Sequence, residues 1–379
     1  MTNYDLAIQQ CTSMITYYQT NSPNPLSSQH DTVIYGGGKT GQGVLDYLLA
    51  RGFQVSAVLD RNADPSRKVR NGIPLLKLEE WTRSHDPHFS QVIIAIHNRD
   101  DDLRPIYETF LRLGFDRIIS LVEFVNIFPN EQPFRYWLAN SELYYGALDK
   151  IVNALSTLKD SCSVANYLDI IQYRLSGNPN ALKQPSLEDQ YTPFDCPQWP
   201  SPLRLIDCGA YDGDTIQTFA QKGFELEAIA TFEPDPSNYR NLVRNLREVE
   251  SINIPCATGA ENFLCKFETG MGEAGAVLSN GNTIVQSVKI DDVLPRFRPN
   301  LIKMDVEGAE IDSLLGCKNV IGRYRPGLAI SLYHRPTDLW EIPLLLDSWD
   351  LGYEFFIRCH RFNTFDSVLY AFPHHPLPR

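Results

Sequence analysis

Basic residues are in short supply in this chain: 34 lysines and arginines face 46 aspartates and glutamates, a formal charge of −12 over 379 residues. A polyanion is gripped by clustered cations that displace its counterions, so no nucleic-acid partner is expected. Cysteine spacing is missing as well. The eight cysteines form no Cys-x-x-Cys pair and no regular series, which removes the usual zinc frameworks and a disulfide scaffold and leaves free thiols of a reducing compartment. Long apolar runs are absent: no segment nears the roughly twenty residues of a membrane span. Met1 to Gln10 lacks the basic start and apolar stretch of a secretion signal. A cytoplasmic protein without a membrane span is expected, its oligomeric state left open.

What is present is enough chain for two cores. Composition and periodicity divide it into an N-terminal helix and linker (1–30), a Rossmann-like α/β domain (31–130), a helical connector (131–202) and a second α/β domain (203–379). In the first α/β domain the strand Thr32–Tyr35 runs into Gly36-Gly37-Gly38-Lys39-Thr40-Gly41, which places glycines at 36, 38 and 41 before a helical segment. Asp60 closes the next strand 19 positions after Gly41. That is the spacing of a dinucleotide-binding turn and its ribose acid, so Gly36, Gly38, Gly41 and Asp60 form a candidate nucleotide site. The same architecture serves equally as a docking module without nucleotide. No Tyr-x-x-x-Lys pair follows it, which disfavours an independent dehydrogenase. Beyond it, from Phe134 to Ser176, apolar residues recur at helical steps. Tyr191 and Trp199, in the extended stretch after them, serve as packing or as a stacking surface for a substrate.

The second α/β domain opens with the strand Leu203–Cys208 and the turn Asp207-x-Gly209-x-Tyr211-x-Gly213. Glycines there let the backbone turn tightly and approach a ligand closely. A second strand ends at Glu233, about twenty residues on, where such sheets carry their ribose-binding acid. A third strand is expected over Ile252–Ala257. Leu301–Met304 ends in Asp305, Glu307 and Glu310, and Leu328–Tyr333 ends in His334. These strand ends converge on one crevice. Between them, the glycine-rich stretch Gly270–Gly275 is a hairpin connection or a flap over a substrate.

Through Asp207-Cys208-Gly209-Ala210-Tyr211-Asp212-Gly213, Phe232-Glu233-Pro234-Asp235, Ile302-Lys303-Met304-Asp305-Val306-Glu307-Gly308 and Ser331-Leu332-Tyr333-His334, the last half of the chain resembles the FkbM family of methyltransferases. The resemblance implies a class I methyltransferase sheet that binds S-adenosylmethionine. Asp207, Gly209, Tyr211 and Gly213 would border its methionine end, Glu233 its ribose hydroxyls and Ala257 its adenine. It also implies O-methylation of a hydroxyl on a sugar, glycolipid or other natural product. A hydroxyl acceptor needs a base, and His334 is the first choice. Asp305 and Glu307 would position the acceptor, contact the cofactor amine or hold a divalent cation such as Mg²⁺. The N-terminal domain resembles the small nucleotide-binding-like domains of sugar-modifying enzymes. Alternatives are therefore an NAD-dependent oxidoreductase or epimerase activity there, or a non-catalytic nucleotide-binding subunit.

Overall fold

Apolar runs that stop at a glycine or an acid become buried parallel strands in the computed structural model, which describes residues 3–64, 72–129, 136–187, 190–270, 275 and 281–374. The strands in chain order are β1 (Asp31–Tyr35), β2 (Ala57–Leu59), β3 (Leu75–Leu76), β4 (Ser90–Ile94), β5 (Arg117–Ser120), β6 (Leu203–Cys208), β7 (Leu226–Phe232) and β8 (Ser251–Ile254). They continue with β9 (Ala257–Thr258), β10 (Phe263–Phe267), β11 (Thr283–Val288), β12 (Leu301–Met304), β13 (Gly327–Ser331), β14 (Tyr353–Cys359) and β15 (Ser367–Pro373).

The chain divides into two units. The first comprises Met1–Val152, Ala165–Pro185 and Arg361–Phe365. Its five-stranded sheet runs β3-β2-β1-β4-β5, all parallel, the order of a doubly wound sheet with its switch point between β1 and β4. Val33, Leu59, Val92 and Phe110 form its core with the buried Trp81. The helix Leu103–Leu113 begins where the Asp102 side chain accepts from the Arg104 amide and ends at Gly114, whose φ of 76° is the left-handed conformation that closes helices. β3, two residues long, has too little periodicity to be expected from sequence.

The second unit comprises Asn153–Val164, Ser186–His360 and Asp366–Arg379. Its seven-stranded sheet runs β14-β15-β13-β12-β6-β7-β8. β15 is antiparallel to both β13 and β14, and the other pairings are parallel. This is the class I methyltransferase arrangement, closed by an antiparallel hairpin. A smaller sheet, β10-β11-β9, accompanies it.

Two expectations change. The third strand stops at Ile254, because Pro255 has no N–H to continue the ladder; Cys256 N donates to Ile254 O at 2.9 Å, and Ala257 pairs with β11 in the smaller sheet. The connector 131–202 supplies the helices Glu142–Gly146, Leu148–Thr157 and Ser161–Ser176 but no unit of its own, since its residues are shared between the two. Met271–Ala274 of the glycine-rich stretch lie outside the described residues. Among the described residues no helix is long and apolar enough to cross a membrane.

Candidate functional site

The carboxyl ends of β6 and β7 lie side by side, with Cys208 in register with Phe232. Asp207 has no exposed surface, and Lys303 Nζ, from the middle of β12, sits 3.0 Å from its Oδ1 while donating to the Gly209 carbonyl at 2.7 Å. Burial pushes the Asp207 pKa up to about 6, with Lys303 opposing the rise. For Lys303, burial acts to lower the pKa, but Asp207, Asp305 and Asp214 outweigh it and hold the ammonium above its ordinary value. Both partners are therefore charged near neutral pH. Asp207 braces the turn from below and does not line its surface.

Gly209 has φ +76°, and a Cβ there would lie 1.9 Å from the Asp305 carbonyl. Only glycine allows the ends of β6 and β12 to come so close. The amides of Gly209 and Ala210 both donate to Phe232 O, at 2.9 and 3.1 Å. Tyr211 takes φ +48°, and its amide donates to Glu233 Oε2 at 2.9 Å, while the Asp235 amide donates to Oε1 at 2.8 Å. Gly213, at φ +89°, starts the helix Asp214–Gln221 and packs on Leu242 and Leu246. Glu233 is buried, and its pKa is pushed up to about 7 by that burial, against the amide donors. A carboxylate oxygen accepts more than one hydrogen bond, so Glu233 is oriented and still able to receive a pair of hydroxyls. Ala257 is buried in β9.

β12 and β13 deliver a second group. His334 Nδ1 lies 2.7 Å from Glu310 Oε1, and Nε2 lies 3.2 Å from Asp305 Oδ1 and 3.5 Å from Glu307 Oε1. The Tyr191 hydroxyl donates to Asp305 Oδ2 at 2.8 Å, and the Tyr333 hydroxyl to Oδ1 at 3.3 Å. The Val306 amide donates to Glu310 Oε1 at 2.9 Å. The strand-to-helix turn that gathers these groups is tight: Glu307 and Gly308 both have positive φ, 54° and 97°.

Burial alone would lower the His334 pKa, yet Glu310 and Glu307 outweigh it and hold the imidazole well above its ordinary value. Burial raises Glu307. For Asp305 burial acts in the same sense, but His334, Lys303 and the Tyr191 hydroxyl keep it below the usual carboxylate range. Asp338, whose carboxylate accepts from the Arg335 amide at 2.8 Å, is pushed up to about 7 by burial and by Glu310. His334 is thus clamped between carboxylates with both ring nitrogens facing them, which does not suit it to work as a lone neutral base.

The structure places His334, Asp305 and Glu307 together and sets Gly209, Tyr211, Gly213 and Glu233 around the neighbouring turn. Lys303 has no place in the sequence reading, Glu310 enters it only as one of the strand-end carboxylates, and Tyr191 only as packing or a stacking surface, not as a partner of Asp305. Lys303 has a signal, a charge inside the apolar run Leu-Ile-Lys-Met, and Glu310 opens the helix that follows the strand-end turn. Tyr191 had none, because its partner lies 114 residues away. Trp199 is packing: it stacks on Phe372 with ring centroids 4.4 Å apart and donates to the Tyr191 carbonyl.

In the first unit, Gly36 (φ +113°) leads to Gly38, which opens the helix Lys39–Ala50. A Cβ on Gly41 would lie 1.7 Å from Gly36 O, the close strand–helix contact that the spacing anticipates. Asp60 reaches this loop, but its Oδ2 accepts from the Gly37 amide at 2.7 Å and its Oδ1 from the Asn62 amide at 2.8 Å.

Comparison with known proteins bears on the second unit through a family model and on nearly the whole chain through its fold. Residues 207–355 match the family model described as the methyltransferase FkbM domain. The solved structure of the methyltransferase FkbM from Methylobacillus flagellatus is similar over 97% of this chain and 98% of that one, with a TM-score of 0.75 at 19% identity. A methyltransferase from Geobacter sulfurreducens overlaps 62% of this chain and 96% of its own, with a TM-score of 0.26 at 12% identity. None of the curated proteins matches.

Proposed function

The chain carries a methyltransferase FkbM domain over residues 207–355, and from that premise we propose that it moves the methyl group of S-adenosylmethionine to a hydroxyl of a sugar, glycolipid or other natural-product acceptor. The observation that carries this reading is Glu233, a buried carboxylate oriented by two amides beside the glycine turn Gly209–Gly213 at the carboxyl edge of the sheet. Vicinal ribose hydroxyls suit such a group, and the residues present therefore fit the cofactor. Asp207 and Lys303 contribute by fixing the turn. All eight cysteines are unpaired, which supports a reducing compartment and a cytoplasmic enzyme.

The cofactor supplies a methyl group already activated by its positive sulfur. What remains is to align an acceptor oxygen with it and to remove that oxygen's proton. Asp305 and Glu307 keep 22% and 15% of their side chains exposed, against 2% for His334. The carboxylates thus stand at the mouth of the cluster: Glu307, raised by burial, receives the proton, and Asp305, held ionised, faces the acceptor while His334 keeps both in place. With the cofactor held by Glu233 and the glycine turn, its sulfur would leave with the electron pair of the broken sulfur–carbon bond, so the chain's own residues would have only the acceptor's proton to remove.

Calorimetric titration of the full chain with S-adenosylmethionine tests the reading. Glu233→Ala removes a charge-assisted contact worth about 1.5–3 kcal/mol, so affinity should fall roughly ten- to hundredfold. Equal affinity in the variant would take Glu233 out of the site, and absence of binding in the wild type would overturn the proposal.

A further inference from the structure

We propose that Asp305, Glu310 and His334 form a binding site for a divalent first-row transition cation, placed to meet the acceptor hydroxyl; this deepens the methyltransferase reading and rests on it. The three residues come from three elements: the end of β12, the first turn of the helix Glu310–Leu315, and the segment after β13. One ligand atom from each lies within 4.8 Å of the other two, a spread that a small inward movement converts into a shared coordination sphere. Each group is already oriented. Tyr191 and Tyr333 hold Asp305, the Val306 amide holds one oxygen of Glu310, and the sheet edge buries His334.

The second oxygen of Glu310 makes the case specific. Glu310 has no exposed surface, and no described residue hydrogen-bonds to its Oε2. Buried carboxylate oxygens ordinarily have donors. Here an orphaned one belongs to the same carboxylate that touches the imidazole, in a cluster that also gathers Asp305, Glu307 and Asp338. A bound cation answers both the orphaned oxygen and the accumulated negative charge.

The donor set narrows the metal. One imidazole with two carboxylates suits Mn²⁺, Fe²⁺ or Zn²⁺ better than Ca²⁺ or Mg²⁺, which favour all-oxygen shells. Of the three ligands, Asp305 alone keeps substantial exposure, so the open side of the sphere is the side from which an acceptor arrives. A hydroxyl coordinated there loses its proton more readily, and Glu307, next to the cluster, is placed to take it. None of the residues assigned to the cofactor's ribose or turn belongs to this set.

The test is direct metal binding by the full chain after exhaustive dialysis against a chelator. Titration with MnCl₂, followed by loss of the free-ion electron paramagnetic resonance signal, should show one site per chain. Asp305→Asn and Glu310→Gln should each weaken it by at least ~10- to 100-fold. Asp305→Asn, at a partly exposed position, supplies the answer where Glu310→Gln fails to fold. Absence of Mn²⁺ and Zn²⁺ binding by the wild type, or binding that survives both substitutions, overturns the proposal and leaves an imidazolium held by carboxylates. A parallel titration with S-adenosylmethionine separates the two claims: cofactor binding without metal sinks the cation site alone, and metal binding without cofactor sinks the methyltransferase reading alone.

Discussion

Glu233 is the residue on which pH should act most legibly. Its pKa is pushed up from 4.5 to about 7 by burial, and ribose hydroxyls, as donors, favour the ionised carboxylate. Cofactor binding should therefore release a proton near pH 7, and affinity should fall about tenfold per pH unit as the solution is acidified below that point. Calorimetry in two buffers of different ionisation enthalpy measures the proton; a buffer-independent heat and a flat affinity would show that Glu233 is not in contact with the ligand. The free protein follows the opposite sense. A folded-state pKa raised above the unfolded one stabilises fully below the unfolded value, and that contribution is lost as pH rises through the folded value. Between about pH 4.5 and 7 the wild type should lose up to about 3 kcal/mol through this group. Urea titrations of Glu233→Gln across the same window should lack that component.

At the scale of elements, Gly209 ties β6 to β12, and this is where the sequence was most informative. The runs Leu203–Cys208, Leu301–Met304 and Leu328–Tyr333 stop at Gly209, Asp305 and His334, and each forms a central strand with site residues at or just beyond its carboxyl end, β13 itself closing at Ser331. Buried parallel strands leave that signature because both faces are covered. β3 and the break at Pro255 were harder: two residues show no period, and the apolar pattern runs across a proline that only ladder bonding exposes. Side-chain partnerships were the least legible. Tyr191 reaches Asp305 from a left-handed backbone position, φ +64°, held by Tyr370 on its amide and Trp199 on its carbonyl. Nothing local in the sequence marks such a contact. Gly209→Ala tests the link between the strand ends. The added Cβ would sit 1.9 Å from the Asp305 carbonyl at φ +76°, so the ends of β6 and β12 must part, taking both the turn and Asp305 with them. A loss of at least about 1–3 kcal/mol of stability together with a loss of cofactor affinity is expected. Thermal melts and cofactor titration unchanged from wild type would mean that the turn tolerates a side chain and that the close approach has no role.

For the molecule as a whole, the unit that carries the site is assembled from more chain than its recognisable domain. The family match spans 207–355, and sequence periodicity starts the domain at Leu203, yet the unit also takes in Asn153–Val164 and Ser186–Pro202. Arg358 in β14 shows why those pieces matter. It is 3% exposed, donates through Nε to both oxygens of Asp195 at 3.0 and 2.9 Å, through Nη2 to Asp160 at 2.7 Å, and through Nη1 to Ser163 at 2.9 Å. Lys159 N adds a backbone bond to Phe355 O at 2.9 Å, and Leu158 bridges to Phe355. A fragment cut at Leu203 loses Tyr191 from Asp305 and leaves the Arg358 guanidinium with the Ile357 carbonyl but neither of its carboxylates. Breaking a buried ion pair from one side costs about 3–5 kcal/mol, a large part of the ordinary stability of a domain. Residues 203–379 alone should therefore melt far below the full chain, or fail to fold, as followed by circular dichroism. Arg358→Met in that fragment should recover part of the loss, because it replaces an unpaired charge with apolar volume. A wild-type fragment as stable as the full chain would show that the N-terminal pieces only decorate the sheet; a fragment that is unstable but insensitive to Arg358→Met would place the lost stability elsewhere than in this ion-pair network.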